Sequence, residues 1–219
     1  MGISISKSLS DEMMIKLIGN DRPVILDIGA YDGKDSIRFA RLFPDGHIFS
    51  FEPSPESFGK LIYNIEDYKN IHPQNIAISN KCGNSKLFYS NNHPQSSSLE
   101  RPTGHIDIFK DVNWNRTIDI ETLTLDWWHE VVCNSLPLDL IWCDVNGAQE
   151  KFIDGGRGTL RLATKLLYIE YSLLELYEND MSLYQLSGIL PTGFELYDTY
   201  EVGSSYGNAL FINKRLCND

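Results

Sequence analysis

Cysteine is scarce in this sequence, with four in 219 residues. Cys82, Cys133, Cys143 and Cys217 form no CxxC pair and match no zinc spacing. That excludes a zinc ribbon or a disulfide-stapled scaffold and predicts free thiols in a reducing compartment. No apolar run approaches the roughly 20 residues needed to cross a bilayer. The first ten residues are polar and hold no apolar signal core, so the expected location is cytoplasmic. Positive charge is also short, with 19 Lys and Arg against 30 Asp and Glu, a formal net charge of -11. A field of that sign repels phosphate backbones and anionic lipid, so neither nucleic acid nor membrane is an expected partner. The phosphate-cradling Gly-Lys-[Ser/Thr] of a P-loop is missing, and so is the G-x-G-x-x-G of dinucleotide enzymes. Neither the Asn-Pro-Pro-Tyr motif of adenine-N6 methylation nor the Pro-Cys nucleophile of cytosine methylation occurs.

What is present is an alternation of short apolar runs with amphipathic stretches. Residues 23–27 form a compact apolar run ending in a carboxylate and followed by glycines, as a buried parallel strand would be. Helical spacing follows over 32–43, then a strand over 47–51, a helix over 54–67 and a short third strand over 75–79. Ser54 reads as the N-cap of that helix, with Pro55 in its first position. After residue 120 the rhythm returns, with helices over 124–132, 147–163 and 180–190, the second interrupted by Gly155-Gly156. Strands are expected over 138–144 and 165–170, and the runs 194–201 and 208–213 read as an antiparallel pair. Repeated βα units put helices on both faces of a mainly parallel sheet, an α/β fold in one domain over 1–219. Between about 81 and 120 the pattern breaks into an Asn-, Ser-, Pro- and Gly-rich insert, with strand-like alternation at 86–89 and 117–121. An insert this long reads as a substrate-side lid, mobile over 90–110 until ligands bind.

Ligands in such sheets bind beyond the carboxyl ends of the strands. The first of those ends is Asp27-Ile-Gly-Ala-Tyr-Asp-Gly33, where Gly29 and Gly33 permit a tight turn before a helix. The second is Phe51-Glu-Pro-Ser54, which places Glu52 nineteen residues after Gly33. A carboxylate about 20 residues past a glycine turn can accept hydrogen bonds from both hydroxyls of a ribose. The combination points to a nucleoside cofactor. The G-x-x-x-G spacing, lacking a third glycine for a pyrophosphate, fits S-adenosylmethionine better than NAD. The cofactor-binding set is therefore Asp27, Gly29, Ala30, Tyr31 and Gly33, then Glu52, Pro53 and Ser54, with Asp144 from a later strand end.

These stretches, together with Ser96-Ser-Ser-Leu99, Thr122-Leu-Thr-Leu-Asp126 and Asp139-Leu-Ile-Trp-Cys-Asp-Val-Asn-Gly-Ala-Gln-Glu150, resemble the FkbM-type S-adenosylmethionine-dependent methyltransferases over residues 24–170. The resemblance implies a Rossmann-like methyltransferase fold, a seven-stranded sheet with an antiparallel last strand. It also implies methyl transfer, usually to a hydroxyl of a small molecule or sugar. One departure matters: the family commonly shows Lys-Ile-Asp-Val-Glu-Gly where this chain has Trp142-Cys-Asp-Val-Asn-Gly147. Asn146 therefore removes a carboxylate beside the expected active site.

Methyl transfer to an alcohol needs alignment and a base. The candidate catalytic residues are Asp144, Glu170 and His93, with His105 as a further histidine in the insert. Asp144 could instead cap the following helix. Ser97 and Ser98 are the expected acceptor contacts. Tyr171, Trp142 and the Trp127-Trp128 pair read as packing. Asp144, Asn146 and Glu170 could supply oxygen ligands to Mg²⁺, but strand-end carboxylates are common and no metal is expected. Alternatives remain: N-methyl transfer, an NAD-type oxidoreductase, or a cofactor-binding module that has lost catalysis.

Overall fold

The computed structural model describes residues 8–202 and 204–217. The chain opens with α1 (Asp11–Ile18), capped by Ser10, whose hydroxyl accepts from Met13 N, and closed by Gly19 in the left-handed region. No expectation covered this helix, because its eight residues hold little beyond the cap and one apolar face. β1 (Val24–Ile28) follows, buried at every position. Next come α2 (Lys34–Leu42), β2 (His47–Phe51), α3 (Pro55–Asn64) and β3 (Ile71–Gln74). Ser54 caps α3, accepting from Ser57 N, with Pro55 in its first turn as expected.

The insert then begins. β4 (Ala77–Ile78), β5 (Gly83–Ser90) and β6 (Trp114–Leu123) form a separate three-stranded sheet in the order β4-β6-β5. Between β5 and β6 lie a short 3₁₀ turn at Pro94–Ser96 and α4 (Gly104–Ile108). The main rhythm resumes with α5 (Leu125–Val131), β7 (Leu138–Cys143), α6 (Gln149–Gly155), α7 (Arg157–Ala163) and β8 (Thr164–Ser172). The chain closes with α8 (Leu183–Ile189), β9 (Phe194–Val202) and β10 (Tyr206–Asn213).

The main sheet has seven strands in the order β3-β2-β1-β7-β8-β10-β9. β1 pairs in parallel with both β2 and β7, and β7 in parallel with β8. β10 runs antiparallel to β8 and β9 and lies between them, so the last strand of the chain is the one reversed strand. One expectation is corrected here. Residues 75–79 do not supply the third strand of the main sheet. Ile71–Gln74 takes that edge, pairing with β2, while Ala77–Ile78 leaves to pair with β6. Sequence pattern alone could not separate them, since both are short apolar runs of strand type.

Each face of the sheet buries its own core. One side packs Leu26, Ile28, Ile141, Leu167 and Phe211 under α5 to α8, with Trp128 wholly buried. Phe49 and Phe51 meet the Trp128 ring edge-on at 5.0 Å. The other side packs Ile25, Ile48, Leu140, Leu166 and Leu210 beneath α1, α2 and α3. Burying one such Leu or Ile side chain contributes about 1.5–3 kcal/mol. Alternation along β7 and β8 sends Trp142 and Tyr168 to this second side and Tyr171 to the first, so Tyr171 packs in the core.

The strand ends are stitched at the switch point between β1 and β7. Gly29 N and Ala30 N both donate to Phe51 O at 2.9 Å, and Asp144 N donates to Ile28 O at 2.9 Å. Reversal of strand order there opens a crevice above the carboxyl ends.

Candidate functional site

Two cavities occupy that crevice and meet at Asp144 and Asn146. The first, about 330 Å³, lies above β1, β2 and β7. Its floor is the glycine turn. Gly29 has φ +90°, and a Cβ there would collide with the Asp144 carbonyl. Only glycine lets the β1 and β7 ends approach this closely. Gly33, also left-handed at φ +84°, lies behind the cavity, opening α2 and packing on Leu61. Asp27, Gly29, Ala30, Tyr31, Glu52 and Pro53 line the cavity as expected, and Ser97, Ser98 and Asp144 join them.

Glu52 is nearly fully buried. Tyr31 N donates to one carboxylate oxygen at 2.9 Å and Ser54 N to the other at 2.8 Å. Each oxygen has two acceptor sites, so one on each oxygen stays available for a ligand hydroxyl. Ser54 thus acts from behind, through its N–H and as a helix cap. Burial pushes the Glu52 carboxyl up to about 7, against the opposing effect of those two N–H donors. Asp27, deeper still, accepts from Ser36, and burial with the nearby Asp35 raises it to about 8. Ile78, Leu87 and Leu99 add an apolar lining that the sequence reading missed. The only signal for it was the apolar run at 76–78, which reads as an ordinary strand.

The second cavity, about 510 Å³, lies above β7, β8 and β10. Trp142 and Tyr168 stack in its wall with ring centres 3.8 Å apart and planes 15° from parallel. The Arg38 guanidinium sits 5.6 Å from the Trp142 centroid, already engaged with Asp11 and the Leu9 carbonyl. Glu170, His93 and His105 all line this cavity, as does Asp144. Four of the sequence-derived candidates therefore converge here, whereas Ser97 and Ser98 face the first cavity rather than an acceptor lid of their own.

Asp144 presents its side chain to the open junction of the cavities and is exposed by surface, yet protein walls it on its other sides. That enclosure, with Asp35 nearby, lifts its carboxyl to about 6. Glu170 is buried, and burial with Asp144 and Asp180 nearby pushes it well above the usual carboxylate range. His105 is pushed down to about 4 by burial and by His93, so it is neutral near pH 7. The cavity thus brings together two carboxyls, those of Asp144 and Glu170, both shifted upward by their surroundings. Among the described residues no group of three or more His, Cys, Asp or Glu side chains is placed to hold a metal. All four cysteines are free. None of the described helices is long and apolar enough to cross a membrane.

Comparison with known proteins agrees with the geometry. The Methyltransferase FkbM domain family matches residues 27–200. The 2-O-methyltransferase NoeI of Sinorhizobium fredii is 35% identical over 210 residues, covering 93% of this chain and 84% of that protein. Among solved structures, a methyltransferase FkbM from Methylobacillus flagellatus superposes with a TM-score of 0.57 at 12% identity. That match covers 88% of this chain, which spans only 44% of the longer protein. Aeropyrum pernix fibrillarin, solved with natively bound S-adenosyl-L-methionine, superposes with a TM-score of 0.54 at 11% identity, covering 90% of this chain and 68% of that one.

Proposed function

We propose that this chain, which belongs to the FkbM methyltransferase family, methylates a hydroxyl group of a sugar or similar small polyol. Its methyl donor is S-adenosylmethionine, which when bound supplies an electrophilic methyl carbon on a sulfonium. The observation carrying the acceptor assignment is the junction of the two cavities at Asp144, where a donor chamber opens onto a polar, aromatic-walled chamber. The 2-O-methyltransferase named among the relatives supports the same choice.

The residues divide by chamber. Glu52 would accept from the ribose hydroxyls through its two free acceptor sites, while the Gly29 turn lets the backbone approach the amino-acid portion. Ile78, Leu87 and Leu99 would enclose the adenine. The carboxylates of Asp144 and Asp35 would favour the cationic sulfonium. In the second chamber Trp142 and Tyr168 offer an apolar wall of the kind a sugar ring packs against, and Asn208 and Glu170 offer hydrogen-bond partners.

An alcohol is a poor nucleophile, so removing its proton as the new bond forms speeds transfer. Asp144, with its carboxyl near 6, is charged at neutral pH and basic enough to take that proton. Glu170, whose carboxyl burial pushes well above the usual carboxylate range, would offer a hydrogen-bond partner to a second acceptor hydroxyl. His93 and His105 line the same chamber and would position the acceptor rather than take the proton.

The test is incubation with methyl-labelled S-adenosylmethionine and a panel of neutral glycosides, amino sugars and simple amines, with products read by mass spectrometry. O-methylated glycoside is the expected product. Methyl found only on nitrogen would overturn the acceptor class, and tight NAD binding without S-adenosylmethionine binding would overturn the donor.

A further inference from the structure

The segment at 94–99 is a shared wall. Gln95 faces both chambers, Ser97, Ser98 and Leu99 line the first, and Ser96 lines the second. The C-terminal end of this strap is bridged to β5, Phe88 N donating to Ser98 O at 2.8 Å and Ser98 N to Phe88 O at 3.0 Å, while Asn146 ties it to the end of β7. The Asn146 side-chain amide donates to Gln95 O at 2.8 Å and to Ser97 O at 3.4 Å. Its own carbonyl accepts from Ser98 Oγ. Asn146 sits at φ +47°, a left-handed conformation that Asn and Asp tolerate and most other side chains do not. Its side chain is thereby aimed up at the strap rather than along the strand. Tyr177 adds a second tie, its hydroxyl donating to Ser96 O at 2.8 Å.

We infer that Asn146 is a positioning residue whose amide clamps the strap shut over both chambers, setting the fraction of molecules competent to bind. With the strap placed as it is in this chain, the side chain faces two carbonyl oxygens and a donor matches them. A carboxylate there would put negative charge against both acceptors. Opening the strap would remove a wall from each chamber at once. Apparent affinity would then fall by the closed fraction for any ligand needing that wall, and saturating ligand would restore closure.

The inference rests on the first chamber being the donor site, and the test separates the two ideas. Asn146→Asp keeps size and backbone tolerance while replacing the donor with an acceptor. Calorimetry with S-adenosylhomocysteine should show about tenfold weaker binding, the scale expected for losing two hydrogen bonds to a shared partner. Exchange of the Ser97 and Ser98 amides should quicken by a similar factor without ligand and return to the wild-type rate at saturation. At saturating ligands kcat should stay within about threefold while both KM values rise. Ser98→Ala, which removes one bond and no charge, should give about a threefold loss and guards against a misfolded first variant. Unchanged S-adenosylhomocysteine affinity in Asn146→Asp would overturn the clamp, as would a change confined to acceptor KM. If the wild-type protein binds no S-adenosylhomocysteine, the donor assignment fails. Strap exchange in ligand-free protein then still decides the clamp.

Discussion

The chamber proposed for the donor and the one proposed for the acceptor are built in different ways. Around the donor chamber the critical contacts come from the main chain: the Gly29 turn against the Asp144 carbonyl, and two N–H groups on Glu52. Around the acceptor chamber they come from side chains of β7, β8 and β10, from α2 and from a strap outside the main sheet. Backbone groups fixed by strand pairing cannot be exchanged without disturbing the sheet. Side chains can, so one fold can keep its donor and vary its acceptor. The residues at the border between the chambers should therefore show the largest effects.

Asp144 is that border. Asp144→Asn removes the proposed proton acceptor while keeping shape, and should lower kcat by about 10²–10⁴-fold. S-adenosylhomocysteine affinity should change far less. A variant retaining full turnover would move the proton acceptor elsewhere, with Glu170 the next to test.

Gly29→Ala should have the next largest effect, on stability as well as binding. A side chain at φ +90° is strained, and its Cβ meets backbone that cannot swing aside. Strain and overpacking together should cost about 3 kcal/mol or more, read by chemical denaturation. A loss below about 1 kcal/mol would mean that the β1 and β7 ends are further apart than described here.

Glu52→Ala separates ligand binding from folding within the donor chamber. It should weaken donor binding by about 1.5–3 kcal/mol, as for hydrogen bonds to a charged group, while the protein still folds. Normal donor affinity in this variant would leave the ribose without its assigned partner.

The same division explains what the sequence made legible. The lining of the first chamber was readable because its parts are local and spaced by the chain itself: a glycine turn, and an acid at the next strand end. The mainly parallel α/β architecture was readable because buried strands and amphipathic helices carry different periods, whereas the count of seven strands came from the resemblance to the family. The third strand was misplaced because 71–74 and 77–78 differ only in which partner they find. The strap was the least legible part. Nothing in Ser96-Ser-Ser98 says that its carbonyls will meet Asn146, fifty residues on, and that contact turns an expected acceptor lid into a wall common to both chambers. Asn146 itself looked like a lost carboxylate, since its function as a donor shows only with the strap in place.

The smallest expected effect concerns pH, and here His105 should pull against the buried carboxyls. In the donor chamber and at the border, Asp27, Glu52 and Asp144 titrate at about 8, 7 and 6, above their ordinary 3.8, 4.5 and 3.8. The folded state then holds protons that the unfolded state has released, so stability falls as pH rises across that window and levels off above about 8. On the strap side His105 titrates at about 4, below its ordinary 6.5. Below pH 6.5 the unfolded chain takes up a proton that the folded one refuses, so this contribution is complete above 6.5 and lost as pH falls toward 4. Three raised carboxyls outweigh one lowered histidine, so the ligand-free protein should melt higher at pH 5.5 than at pH 8. For a chain of this length each kcal/mol corresponds to about 2–4 °C. Glu52→Gln should flatten the slope between pH 5 and 7, and His105→Gln should raise relative stability on the acid side. A melting temperature that rises from pH 5.5 to 8 would show that the carboxyls are better solvated than their burial implies, and Asp144 would then lose its tuned basicity.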